Sequence, residues 1–233
     1  MKISIIIPCY NEENRILKTL NKIKDYLKNK KEDFEILIVD DCSKDNTLKI
    51  VENFNLPIKI LKNEINHGKG YSVKKGILNS SGDIALFMDA DSATDINELD
   101  KFLPYFKEYD MVFGSRHIKK NSIKVPQSGI RRFFGFGAHK LIHLVIRTKV
   151  NDTMCGFKAF NKKSRVLFEK QLNERWGFDY ELIFLAKKFG FKIKEVAVEW
   201  RDDSESKVTA KGYLKALVEL FNIRLNDFLG KYK

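Results

Sequence analysis

Two aspartates, Asp89 and Asp91, stand two residues apart where the apolar run 84–88 ends. In extended backbone that spacing puts both side chains on one side. Two carboxylates so close repel each other unless a cation sits between them. Mg2+ and Mn2+ favour oxygen ligands and often link one or two carboxylates to phosphates, so Asp89 and Asp91 are the candidate metal ligands. The alternative is one helix cap and one solvated aspartate. Further carboxylates close similar runs: Glu12 follows 3–7, and Asp40 and Asp41 follow 34–39. In open parallel sheets, ligands bind beyond the carboxyl ends of strands.

Other chemistries are poorly supported. The turn Pro8-Cys9-Tyr10-Asn11-Glu12 carries no G-x-G-x-x-G, and His67-Gly68-Lys69-Gly70 lacks the spacing of a P-loop. Gly68-Lys69-Gly70 still opens a helix, where backbone N–H groups and a lysine are expected to face an anion, a plain turn being the alternative. The three cysteines, Cys9, Cys42 and Cys155, have neither disulfide nor metal spacing, which suits a reducing compartment.

The elements that must position these residues alternate. Apolar runs at 3–7, 34–39, 57–62, 84–88 and 110–113 read as strands, with helices predicted at 13–28, 46–53, 70–78 and 96–107. This is a mostly parallel, doubly wound α/β sheet with helices on both faces. Later come helices at 129–147, 163–172, 178–189 and 211–229 and strands near 156–160 and 192–199. The chain reads as a single domain over 1–233, the second half decorating the sheet.

The net charge of +12 is concentrated. Nine of those twelve charges lie between Asp110 and Asp152, a window without one acidic residue. Within it, apolar positions 130, 133, 134, 137, 138, 141, 144 and 145 follow helical spacing, while Arg132, His139, His143 and Arg147 share another face. A basic amphipathic helix reads as a membrane-surface element, with core packing as the alternative. No apolar stretch reaches the length of a spanning helix. Charge alone would also admit a nucleic-acid-binding module, but no helix-turn-helix, zinc spacing or RNP-type motif supports one.

Four motifs in order resemble the family-2, GT-A-type glycosyltransferases: Ile6-Ile7-Pro8-Cys9-Tyr10-Asn11-Glu12-Glu13, Val39-Asp40-Asp41-Cys42-Ser43-Lys44-Asp45, Asn66-His67-Gly68-Lys69-Gly70 and Asp89-Ala90-Asp91. They cover roughly the first 115 residues. Gly114-Ser115-Arg116, Arg131-Arg132 and Asp152-Thr153-Met154-Cys155-Gly156-Phe157-Lys158 resemble the polyprenyl-phosphate branch. Asp89-Ala90-Asp91-Ser92-Ala93-Thr94 and Arg175-Trp176-Gly177-Phe178-Asp179-Tyr180-Glu181 are more similar to its dolichyl-phosphate glucosyltransferases than to its mannosyltransferases. The mannose enzymes place a glutamine where this chain has Ala93, and Ser204 stands where glycine is usual in the Arg201–Lys207 loop.

The resemblance implies a GT-A fold, a nucleotide-sugar-binding half over 1–115 and an acceptor-binding, membrane-facing half over 116–233. It implies an inverting hexosyltransferase that uses UDP-glucose and Mg2+ or Mn2+ at the cytoplasmic face of a membrane. Pro8, Tyr10, Glu12, Asp40, Lys69, Asp89, Ala90, Asp91, Arg201 and Lys207 would bind the donor, with the metal on Asp89 and Asp91. Arg116, Arg131 and Arg132 would take the phosphate of a polyprenyl or dolichyl phosphate, because a guanidinium fork matches phosphate oxygens. Asp91, Arg116 and Arg131 are the expected catalytic residues, and Asp152, Asp179 and Glu181 would position the sugar. Two alternatives are a mannose synthase using GDP-mannose and a transferase acting on a sugar hydroxyl, the latter requiring a carboxylate base.

Overall fold

The structure, a computed structural model, describes residues 1–118, 123–125, 140–201 and 210–233, with backbone alone at 123–125 and 210–214. The predicted alternation is present: β1 (Lys2–Cys9), α1 (Ile16–Leu27), β2 (Asp33–Asp40), α2 (Thr47–Glu52), β3 (Ile58–Lys62), α3 (Lys69–Leu78), β4 (Ile84–Met88) and β5 (Met111–Ser115). The predicted helix at 96–107 is instead two short 3-10 helices, Ile96–Lys101 and Leu103–Lys107, the second entered through Pro104. Proline lacks an N–H and interrupts a continuous helix.

The second half contributes β6 (Ile123–Val125), β7 (Phe157–Asn161), α4 (Val166–Lys170), α5 (Phe178–Lys188), β8 (Ile193–Ala197), β9 (Trp200–Arg201) and α6 (Ala210–Phe228). Residues 140–146, the described end of the predicted 129–147 helix, are helical. The seven-stranded sheet runs β3-β2-β1-β4-β7-β5-β8. All its pairings are parallel except those of β7, which is antiparallel to both β4 and β5. Reading the second half as decoration is therefore corrected: β7 fills the middle of the sheet, with Ala159 opposite Leu86 on one side and Val112 on the other.

Alternate residues of each strand face opposite sides. Ile6, Leu37, Phe87 and Phe113 pack with α3 and α5, whereas Ile5, Ile7, Ile38 and Leu86 pack with α1 and Ile96. In α1, Leu17 is exposed and Thr19 takes a buried place. In α6, Leu220 and Ile223 face the core, while Val218, Phe221, Leu225 and Phe228 face outwards. Among the described residues, no helix is long and apolar enough to cross a membrane.

Candidate active site

The carboxyl ends of β1, β2 and β4 open onto one rim, as the carboxylate positions require. Two loops there are joined by side-chain to backbone hydrogen bonds. Asn11 N donates to Ser43 Oγ at 2.9 Å, Lys44 N to Asn11 Oδ1 at 2.8 Å and Glu12 N to Thr47 Oγ1 at 2.6 Å. Pro8 lies half-buried near the end of β1, and Tyr10 is exposed beside it. The Glu12 carboxylate accepts from Arg15 Nε at 2.7 Å. Asp40 is buried; its Oδ2 accepts from Ser43 N at 3.1 Å, and its buried Oδ1 has no partner. An acceptor held in that state suits an incoming N–H.

Asp41 has a different task. Its carboxylate accepts from His67 N at 3.0 Å, Gly68 N at 2.8 Å and Asn63 Nδ2 at 2.8 Å. This fixes the turn into α3, where Gly68 has a φ of 116° that side chains rarely adopt. The expectation that these N–H groups face an anion is corrected. Gly68 N is held by Asp41, Gly70 N donates to Arg175 O at 3.2 Å and Tyr71 N to Glu174 O at 2.8 Å. The Asp41 carboxylate and two protein carbonyls thus take these three N–H groups, while the Lys69 side chain reaches Asp89.

Lys69 Nζ lies 2.7 Å from Asp89 Oδ1, above the rings of Phe87 at 5.1 Å and Trp176 at 5.5 Å. Burial pulls its pKa down, but Asp89 and then Asp179 more than reverse this, so the ammonium stays charged. Asp89 N donates to Gly156 O at 3.1 Å, anchoring the strand end to the residue before β7. Burial, and then the neighbouring Asp89 charge, push Asp91 up to about 6. Asp91 Oδ1 accepts from Ala93 N at 2.9 Å. Beneath this loop, Thr19 Oγ1 donates to Ala90 O at 2.6 Å and Lys22 Nζ to Ser92 Oγ at 3.0 Å. The polar Thr19 on the buried face of α1 thus carries the Asp89–Asp91 turn. Arg201 N donates to Ala93 O at 3.0 Å, bringing Arg201 to the same turn.

Deeper in, Arg116 grips Asp152 with a fork: Nε to Oδ2 at 2.7 Å and Nη2 to Oδ1 at 2.8 Å. The guanidinium carbon lies 5.4 Å from the Trp200 ring centre. Although burial opposes it, Arg116 holds Asp152 down to about 2. Thus one edge of the guanidinium expected at an acceptor phosphate is already engaged. Asp179 is paired with Lys158, and both are fully buried. Glu181 accepts from Leu172 N at 3.1 Å, Asn173 N at 2.8 Å and the Tyr232 hydroxyl. The three carboxylates expected to position a sugar are each committed to internal partners. Burial pushes the Cys155 thiol up to about 12, consistent with an inert packed side chain. Arg131, Arg132, Lys207 and most of the Arg201–Lys207 loop lie outside the described residues.

Sequence reasoning assigned no role to Gly156, Thr19 or Lys158. Lys158 had a readable signal, a lone charge inside the apolar run Phe157–Phe160. Gly156 lies within the motif Asp152–Lys158, and Thr19 had no signal beyond a polar residue among the apolar positions of its helix.

The donor set is all oxygen, as Mg2+ or Mn2+ requires. Asp89 and Asp91 would supply two carboxylates, and among the described residues no group of three or more His, Cys, Asp or Glu could hold a metal. A two-carboxylate site suits a cation whose remaining ligands come from a diphosphate and water.

Residues 4–167 match the model of the family described as "Glycosyl transferase family 2". A dolichyl-phosphate beta-glucosyltransferase of Trichomonas vaginalis is 35% identical over 99% of this chain and 75% of its own. The Homo sapiens enzyme of that name is 33% identical over 100% of this chain and 78% of its own. Among solved structures, glucosyl-3-phosphoglycerate synthase from Mycobacterium tuberculosis, in complex with Mn2+, UDP-glucose and phosphoglyceric acid, superposes with a TM-score of 0.70. It shares 16% identity over 95% of this chain and 79% of that one. Mannosyl-3-phosphoglycerate synthase from Rubrobacter xylanophilus gives 0.73 at 14% identity over 99% of this chain and 75% of that one. With the sheet order, the carboxylate rim and these likenesses in agreement, the chain has the GT-A fold and belongs to the family 2 glycosyltransferases.

Proposed function

We propose that this glycosyltransferase moves glucose from UDP-glucose to a dolichyl or other polyprenyl phosphate at the cytoplasmic face of a membrane, with inversion. The observation that carries the choice of acceptor is the commitment of the interior carboxylates. Asp152 is clamped by Arg116, Asp179 by Lys158, and Glu181 by two backbone N–H groups and Tyr232. A hydroxyl acceptor needs a carboxylate to take its proton. A phosphate monoester, with a second pKa of about 6, is largely dianionic at neutral pH and attacks without one. Its direct displacement inverts the anomeric carbon.

The unpartnered Asp40 Oδ1 supports base recognition through an N–H. Asp89 and Asp91 would hold Mg2+ or Mn2+. When bound, the cation supplies Lewis-acid stabilisation of the departing diphosphate. Arg201, whose N–H is tied to Ala93 O, would add positive charge. Arg116 holds its place through Asp152 and Trp200 and would face the lipid phosphate together with Arg131 and Arg132.

The outward stripe of α6, Val218, Phe221, Leu225 and Phe228, supports a membrane surface as partner. Its acidic neighbours turn away: Glu219 accepts from Gly177 N, and Asp227 pairs with Lys188. Lys215 and Lys231 are exposed. That pattern matches an anionic bilayer.

The test offers labelled UDP-glucose with dolichyl phosphate or with free sugars. Label should enter the lipid phosphate alone. Label in a sugar hydroxyl product, or transfer from GDP-mannose but not UDP-glucose, overturns the reading.

A further inference from the structure

The Asp89–Asp91 turn holds a cation of its own. Lys69 Nζ sits 2.7 Å from Asp89 Oδ1. Its backbone is fixed, because Asp41 pins the turn before it and the Glu174 and Arg175 carbonyls cap the residues after it. The four-carbon side chain is therefore the adjustable part. Asp89 has less freedom: its N–H is bonded to Gly156 O, and its Oδ2 packs against Gly156 so closely that an added Cβ would come within 1.9 Å. Asp179, itself paired with Lys158, also acts on Lys69. The faces of Phe87 and Trp176 give the ammonium contacts that do not depend on Asp89.

We propose that Lys69 is the resident counter-ion of this turn: it occupies Asp89 while the divalent cation is away, competes with that cation for the carboxylate, and turns to the donor diphosphate once displaced. The proposal rests on the metal-dependent reading above. Two cations cannot share Asp89 without repelling each other. The ammonium therefore lowers affinity for a free metal ion and favours a metal that arrives with a diphosphate, which gives Lys69 a new anionic partner. The consequence is ordered loading, with metal and nucleotide sugar entering together.

The test measures Mn2+ binding by electron paramagnetic resonance, without acceptor or turnover. Lys69→Met keeps an unbranched apolar stem over Phe87 and Trp176 and removes the charge. It should bind Mn2+ alone about tenfold more tightly than the wild type, and Lys69→Arg should resemble the wild type. Adding UDP should raise Mn2+ affinity more in the wild type than in Lys69→Met. Equal or weaker Mn2+ binding by Lys69→Met overturns the proposal while leaving the metal reading intact. Absence of Mn2+ binding in every protein, with UDP present, overturns both. Should Lys69→Met fail to fold, the wild type answers alone: the Lys69 ammonium resonance in nitrogen-15 lysine-labelled protein should move on adding Mg2+. An unmoved signal under Mg2+ saturation overturns the proposal.

Discussion

The Cα of Gly156 lies against the carboxylate of Asp89, so that a methyl group added there would come within 1.9 Å of Oδ2. The same glycine accepts the Asp89 N–H, so the loop before β7 sets both the backbone and the side chain of the first aspartate. Gly156→Ala must displace Asp89 or itself. Overpacking of this kind costs about 1–3 kcal/mol, whereas a shift of about 1 Å at a reacting centre can cost roughly 100-fold in rate. Transfer assays should show kcat falling about that much while the protein remains folded at room temperature. An unchanged kcat would mean that the Asp89 position is not required.

Arg116 and Asp152 form a forked ion pair, with Asp152 only 2% exposed and Arg116 18%. Asp152 titrates at about 2 when folded and at about 4 when unfolded. Its folded pKa is depressed, so its contribution is complete above about pH 4 and is lost as the pH falls through about 2, a total of roughly 2 kcal/mol. Asp152→Asn strands a largely buried guanidinium and should cost about 3 kcal/mol at neutral pH. Urea unfolding across the acid range is the check. A variant as stable as the wild type, with the same acid limb, contradicts the pairing.

For Asp91 the sign is opposite. Burial and Asp89 raise its folded pKa to about 6. Ionising it therefore costs stability, a penalty absent below about pH 4 and complete above about pH 6. In chelator at neutral pH, Asp91→Asn should melt above the wild type, the difference vanishing near pH 4. The same variant should lose metal-dependent transfer. Wild-type Mn2+ affinity should fall as the pH drops through 6, because proton and metal compete for Asp91. A lower melting temperature for Asp91→Asn would show that the carboxylate is stabilising rather than held in reserve.

The outward face of α6 predicts vesicle binding. Phe221→Ser with Phe228→Ser, both exposed positions, should leave the melting temperature near that of the wild type. The pair should nevertheless abolish flotation with anionic vesicles. Wild-type binding should weaken with salt, at roughly 1 kcal/mol per basic residue near the surface. Equal flotation of both proteins would place the contact elsewhere.

Much of this was legible because parallel strands buried on both faces leave unbroken apolar runs, and their terminal carboxylates mark the rim. The succession of β1 to β5 along the chain, and their ends to within two residues, follow from that pattern. What stayed hidden depends on partners distant in sequence. The N–H groups opening α3 look free until the carbonyls of Glu174 and Arg175 arrive. Residue type shows neither that Asp152 takes one edge of the Arg116 fork nor that Tyr232 and the turn at Leu172 and Asn173 engage Glu181. Periodicity shows that α6 has an apolar face; only packing shows that Leu220 and Ile223, and not Phe221 and Phe228, go inwards.

The insertion of β7 governs how the molecule can be assembled. Among the described residues β5 pairs only with β7 and β8 in this sheet, so no backbone ladder joins it directly to β4. A nascent chain leaving the ribosome carries an unfinished β4 edge until residues 157–161 emerge. A fragment ending at residue 115 would present that open edge to its neighbours and aggregate. Residues 1–115 and 116–233 thus share one sheet, and neither segment completes it without the other.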